Sequence, residues 1–180
     1  TSAATGSSWG VTAEQLLHTY THLTNCDLLR DVVVVTADGA VVAYGRGWWD
    51  QFATGEVSYY HVCYVQPAWQ GKGIGTTLLH YLQGRLRGYA AARPPEPGMS
   101  GVLCAYSSPA AAAETALLEH EGYQPVRYGY LLTRDLVAQP IPDAPMPEGL
   151  EVRPVLPEQM RLIWEADEEA FRDHFGYSPR

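Results

Sequence analysis

At 180 residues, 46% hydrophobic and 11% aromatic, the chain can bury one domain-sized core and has little left for a second. Its net charge of −8, with Lys72 the only lysine, argues against a nucleic-acid surface, which would need a basic stripe. No apolar run approaches the roughly 18–20 residues of a membrane span, no leader or lipidation pattern is seen, and no His or Cys cluster has metal-ligand spacing. Cys26, Cys63 and Cys104 are far apart and form no Cys-x-x-Cys, so they read as reduced thiols of a cytoplasmic protein.

Residues 1–6 read as a flexible end. Thr12-Ala13-Glu14-Gln15 is a capping-box pattern, and Leu16, Leu17, Tyr20 and Leu23 follow at helical spacing, which predicts a helix over about 12–25. Val32 to Thr36 is a β-branched run. Asp38-Gly39 is a hairpin signal, with a return strand over 41–49 and a third strand over 56–65. A glycine-rich bend over 70–75 leads into a helix carrying Leu78, Leu79, Leu82 and Leu86 on one stripe, ending near residue 89. Clustered Pro and Gly over 92–98 make a connector. Residues 101–106 read as a buried strand. Ser108 as N-cap and Pro109 at the first position open an alanine-rich helix that stops at Gly122. One or two strands are expected over 123–136, a Pro-rich linker over 138–149, a short strand over 150–155 and an amphipathic helix over 157–175.

The bend is the chemically telling part. A strand, a glycine turn and a helix start present unpaired backbone N–H groups and the positive end of the helix dipole, which suit a phosphate. Gly71, Gly73 and Gly75 let the backbone approach closely. A P-loop needs Ser or Thr after the lysine, and Lys72 is followed by Gly73. A dinucleotide fingerprint needs another glycine spacing, and the strands before the bend look like antiparallel hairpins. The run Val65-Gln66-Pro67-Ala68-Trp69-Gln70-Gly71-Lys72-Gly73-Ile74-Gly75 instead resembles the acyl-CoA loop of the GNAT acyltransferases.

The resemblance covers about residues 10–136. It implies an α/β (α+β) fold with a mixed, mostly antiparallel central sheet flanked by helices. It implies one GNAT domain over 1–137, lacking the family's usual first strand and helix. Residues 150–180 resemble the strand–helix opening of a second GNAT domain, as in tandem members of the family, or a segment that completes the first, within one chain or exchanged in a homodimer.

In function, the resemblance implies an N-acetyltransferase that moves an acetyl group from acetyl-CoA to a small-molecule primary amine by direct transfer. The amides of Gln70, Gly71, Lys72, Gly73, Ile74, Gly75 and Thr76 would hold the diphosphate. The strand end at Cys63, Tyr64 and Val65 would pair with the pantetheine arm. His61, nine residues before Gln70, takes the place of the family's general base, with Glu56 in reserve and Tyr59 eleven residues before. The usual acid and amide slots in the last family helix fall on Leu118 and Ala111, so Tyr106, Ser107 or water must protonate the thiolate, or the domain binds acyl-CoA without catalysis. An ATP-binding use of the same loop is a third reading. The aromatics Tyr44, Trp48, Trp49, Phe52, Tyr59 and Tyr60 read first as hairpin core and second as the wall of an acceptor pocket.

Overall fold

The computed structural model describes residues 12–95 and 97–178. They fall into two compact units, one running to Tyr123 and taking up again at Phe175, the other spanning Gln124–His174. The expected flexible end at residues 1–6 lies outside the described residues.

In the larger unit, α1 (Ala13–Thr21) starts on the expected capping box: Thr12 Oγ1 accepts from Gln15 N, and Thr12 N donates to Gln15 Oε1. The helix ends before residue 25. β1 (Val32–Ala37) and β2 (Ala40–Gln51) form the expected hairpin, and Asp38 and Gly39 both take positive φ, as a turn of this hand requires. β3 (Val57–Val65) pairs antiparallel with β2, and β4 (Gly101–Cys104) pairs parallel with β3 across the long helix α2 (Ile74–Ala92). The sheet order is β1-β2-β3-β4. This is the mixed, mostly antiparallel α/β architecture expected.

The core lies between the sheet and α2. Leu78, Leu79, Leu82 and Leu86 are all buried, the last two completely. Truncating such a leucine to alanine typically costs about 2–5 kcal/mol. Gly45 and Gly47 on β2 make the approach possible, because a Cβ there would stand 3.1 Å from Leu82 and 3.3 Å from Leu86. The far half of α2 is pinned by Asp31, which is 1% exposed. Its carboxylate accepts from Arg85 Nε at 3.1 Å, Tyr89 Oη at 2.6 Å and the Asp27 amide at 2.7 Å.

Four expectations change. The fourth strand stops at Cys104, and Gly101 and Val102 are exposed, because β4 has a neighbour on one side only among the described residues. The next helix, α3 (Ala112–His120), starts later than expected, with Ala111 as N-cap. Ser108 does not cap it: its hydroxyl accepts from Ala110 N and its carbonyl from Ala111 N, closing a turn around Pro109. Residues 123–136 and 150–155 form no strands. Extended chain becomes a strand only against a partner edge that pairs its backbone, and no described residue after Cys104 supplies one.

The C-terminal stop of α3 holds. Gly122 takes φ +86°, its N–H bonds Glu119 O, and Tyr123 N bonds Leu118 O, the two-bond signature of a Schellman cap. In the smaller unit, a 3-10 turn at Pro157–Gln159 leads into α4 (Met160–Phe171), whose apolar residues Met160, Leu162 and Ile163 are exposed.

Candidate functional site

β3 and β4 part company in the middle of β3. Their register runs from Val57↔Gly101 to Tyr60↔Cys104 and ends there, while β3 continues to Val65 against β2. Backbone groups on a strand point alternately to its two neighbours. Val57 N bonds Ser100 O on the β4 side, and Gln66 N bonds Val42 O on the β2 side. By alternation, the N–H and C=O of Cys63 and Val65 face the open side beyond the last β4 pair. Those of Tyr64 face β2. Of the three residues expected to meet a pantetheine arm, Cys63 and Val65 thus turn backbone groups to the open side, and the Tyr64 backbone is turned to the β2 ladder. On the open side the Val65 carbonyl accepts from Gln70 Nε2 at 3.2 Å.

The glycine turn sits at the end of this open edge. Residues Pro67–Trp69 make one 3-10 turn, which takes up the Gln70 amide through Pro67 O at 3.3 Å. The Gln70 amide, expected among those facing a diphosphate, is thus taken up within the chain, and its side chain bonds the Val65 carbonyl. Gly71 and Gly73 follow at φ +69° and +80°, and a Cβ on either would meet nothing within 4 Å, so glycine is there for backbone conformation. Gly73 is the N-cap of α2 and carries no capping side chain; the first intrahelical bond is Thr77 N to Gly73 O. The amides of Ile74, Gly75 and Thr76 therefore have no partner within the helix. The Lys72 ammonium lies 4.6 Å from the centre of the Trp69 ring beside them.

The sheet divides the candidate catalytic residues. Val57, Tyr59, His61, Cys63 and Val65 alternate towards α2. His61 is 3% exposed, with Nε2 2.7 Å from the Tyr123 hydroxyl, to which Gln83 Nε2 also donates at 3.2 Å. Burial lowers its pKa from 6.5 to about 4, so the ring is neutral and accepts the Tyr123 proton. Glu56, Ser58 and Tyr60 point the other way, as do their β2 neighbours Trp48 and Asp50. On that face Ser58 Oγ donates to Glu56 Oε1 at 3.0 Å. Tyr60 stacks on Trp48 at 5.3 Å and on Tyr106 at 5.8 Å. Trp48, Asp50, Phe52, Tyr60, Tyr106 and Phe175 line a cavity there. So Glu56 and Tyr106 share a face, and His61 is on the opposite one.

The acetyltransferase (GNAT) family profile matches residues 4–94, half of the chain. The chain belongs to the GNAT family. A GCN5-related N-acetyltransferase from Sphaerobacter thermophilus superposes with a TM-score of 0.67 at 28% identity, over 94% of this chain and 51% of that one. The chain thus spans about half the length of that relative. An aminoglycoside 6'-N-acetyltransferase from Acinetobacter haemolyticus gives a TM-score of 0.47 at 13% identity over 71% of this chain and 84% of its own. A Salmonella typhimurium protein solved with its cofactor acetyl-CoA gives 0.47 at 25% identity over 67% of both chains. No curated protein matches the chain.

Leu118, expected at the family's acid slot, is buried in the core. Burial, with nearby Glu114 adding to it, pushes the Cys63 thiol up to about 12. Burial raises Cys26 and Cys104 as well. None of the three is a ready thiolate. Among the described residues no group of His, Cys, Asp and Glu could hold a metal, and no helix is long and apolar enough to cross a membrane. Sequence reasoning missed Asp50 and Phe175 at the cavity. Asp50 carried a usable signal, since it alternates in step with Trp48. Phe175 carried none, as it reaches the cavity from far along the chain.

Proposed function

We propose that this GNAT chain transfers an acetyl group from acetyl-CoA to a primary amine, directly and with both bound at once. The observation that carries the reading is the pairing of an open β3 edge with unpartnered amides at the start of α2. Amides of Gly71 to Thr76 would hold the diphosphate, with Lys72 beside them. Backbone groups of Cys63 and Val65 would take the pantetheine amides as a strand would, and an N–H of the same edge would polarise the thioester carbonyl. Acetyl-CoA supplies the activated acetyl group; the protein supplies alignment, which alone lowers such barriers substantially. Direct transfer agrees with three thiols held protonated by burial.

Glu56, joined to Ser58 on the cavity face, is our choice to take the amine proton through water, and Tyr106 to protonate the departing thiolate. His61, neutral and held by Tyr123, positions the β3 edge. A second reading, a non-catalytic acyl-CoA binder, draws support from Leu118 in the acid slot. Of the expected strand–helix over 150–180, residues 150–155 form no strand in this structure; for α4 we retain the proposal that it opens a second GNAT domain, on the strength of its uncovered stripe.

Calorimetric titration with acetyl-CoA tests the cradle: micromolar binding is expected, and none at millimolar ligand would end both readings. Free thiol released with an amine panel then separates enzyme from binder, with Glu56→Gln expected to lower the rate at least a hundredfold while acetyl-CoA binding stays the same.

A further inference from the structure

We propose, resting on the acetyl-transfer reading, that the acceptor is an amino acid, an amine that carries its own carboxylate, and that Arg46 holds that carboxylate beside the open half of β3. The place comes from the strands. Gly45 and Gly47 turn to α2, so Arg46 between them projects from the other face of the sheet, the face of Trp48 and Tyr60. Arg46 is paired with Val62. That pair lies past the last β3–β4 pair, Tyr60 with Cys104, and next to Cys63, whose backbone turns to the open edge. Neighbouring strands lie about 4.8 Å apart, so an acid at Arg46 and an amine at the thioester fit within one small molecule.

The surroundings of the guanidinium set the ligand chemistry. It lies 4.6 Å from the centre of the Trp48 ring, which stacks on Tyr60 at 5.3 Å. On its other side Tyr44 stacks on Tyr64 at 6.1 Å, and the Tyr44 hydroxyl is joined to that of Tyr20 in α1. The Arg46 Nε is enclosed and has no hydrogen-bond partner. The residue as a whole is half-buried, and no described carboxylate forms an ion pair with it. An enclosed charged N–H without an acceptor is rare and costly. The Trp48 face attracts the cation but accepts none of the N–H groups in the guanidinium plane. A carboxylate on the terminal nitrogens would balance the charge, and arginine presents those nitrogens as a fork that matches the two carboxylate oxygens.

The same placement limits the acceptor's charge. Of the charged side chains on β2, Arg46 stands beside the open half of β3, and Asp50, opposite Ser58, stands back along the half paired with β4. An acceptor at the open edge therefore meets a cation first. That favours a molecule with a negative group of its own and repels a second ammonium, so polyamines and polycationic amino sugars are disfavoured.

The test is calorimetry on the full chain saturated with CoA, using L-phenylalanine, 2-phenylethylamine, which lacks the carboxylate, and spermidine. The phenyl group suits the rings of Trp48 and Tyr60. Phenylalanine is expected to bind at least tenfold tighter than phenylethylamine, with spermidine weakest. Arg46→Gln should abolish that ratio, Arg46→Glu should reverse it, and Arg46→Lys should keep its direction at reduced size, with acetyl-CoA affinity unchanged in all three. A ratio between two ligands on one protein does not move with the folded fraction, so lost stability cannot mimic the result. The proposal is overturned by phenylethylamine or spermidine binding as tightly as phenylalanine, by no phenylalanine binding at millimolar concentration, or by an unchanged ratio in Arg46→Gln. If acetyl-CoA itself does not bind, the transfer reading fails, and the same comparison without CoA still decides whether Arg46 is a carboxylate site.

Discussion

Burial beneath α2 keeps the His61 ring uncharged through the neutral range, and this makes the fold sensitive to acid. The ring titrates near 4 when folded and near 6.5 when the chain is unfolded. Below about 6.5 the unfolded chain binds the extra proton and the folded one does not, so stability rises with pH across this window. The contribution is complete above pH 6.5 and is lost as pH falls to about 4, on the order of 3 kcal/mol in all. Urea unfolding at pH 7 and pH 4.5 measures it. His61→Gln should cost stability at pH 7, since the Tyr123 hydroxyl loses its partner, yet should flatten the difference between the two pH values by about 2–3 kcal/mol. Equal pH slopes in the two proteins would remove His61 from the account. The same substitution leaves Glu56 in place, so residual turnover in the variant, scaled to its folded fraction, also asks whether His61 takes the proton.

At the scale of elements, the turn before α2 separates stability from binding. Gly75 has helical backbone, and a Cβ there would meet Leu117 at 3.5 Å and Val65 at 4.0 Å, ordinary contacts. Gly75→Ala should therefore hold or raise stability, by up to about 1 kcal/mol from helix propensity, seen as an unchanged or higher melting temperature. Gly73→Ala, by contrast, should weaken acetyl-CoA at least tenfold, because its φ of +80° is one a side chain rarely adopts and the presentation of the Ile74–Thr76 amides depends on it. Thermal unfolding of the first variant and calorimetry on the second check the two halves, and unchanged affinity in Gly73→Ala would place the cofactor elsewhere. Elements with local signals were readable in the sequence: the Thr12 box, the Asp38-Gly39 turn, the leucine stripe of α2 and the Gly122 stop. Where two local signals competed, reading failed, as at Ser108, whose hydroxyl closes a turn in place of capping α3. Strands expected over 123–136 and 150–155 failed because pairing is a property of two segments. The facing of His61 was half legible. Tyr59, His61 and Val65 were placed on one face, but which face held the core depended on Gly45 and Gly47, whose missing side chains admit α2. The Asp31 cluster had no local signal at all, since its partners Arg85 and Tyr89 lie far along the chain.

At the scale of the whole molecule, protection of the backbone should be sharply uneven. The larger unit holds its amides in a four-stranded sheet under the buried face of α2. Between Gln124 and Leu156, by contrast, backbone bonds are few, such as Gln139 N to Asp135 O and Leu150 N to Pro147 O, and side chains such as Val126, Leu132 and Val152 are exposed. Amide exchange follows opening free energy, so residues 124–156 should exchange within seconds at neutral pH, while 57–61 and 78–86 should be the slowest. The twelve residues of α4 are the informative case. A helix of that length is marginal in water unless its apolar stripe is covered. At low protein concentration its amides should exchange nearly as fast as the linker; protection that grows with concentration would mark docking of α4 onto a second copy. Acetyl-CoA should slow 61–65 and 71–77, the open edge and the turn, and leave 124–156 unchanged. Protection appearing in the linker, with none at the turn, would mean that the cofactor is held by a surface other than the one at the start of α2.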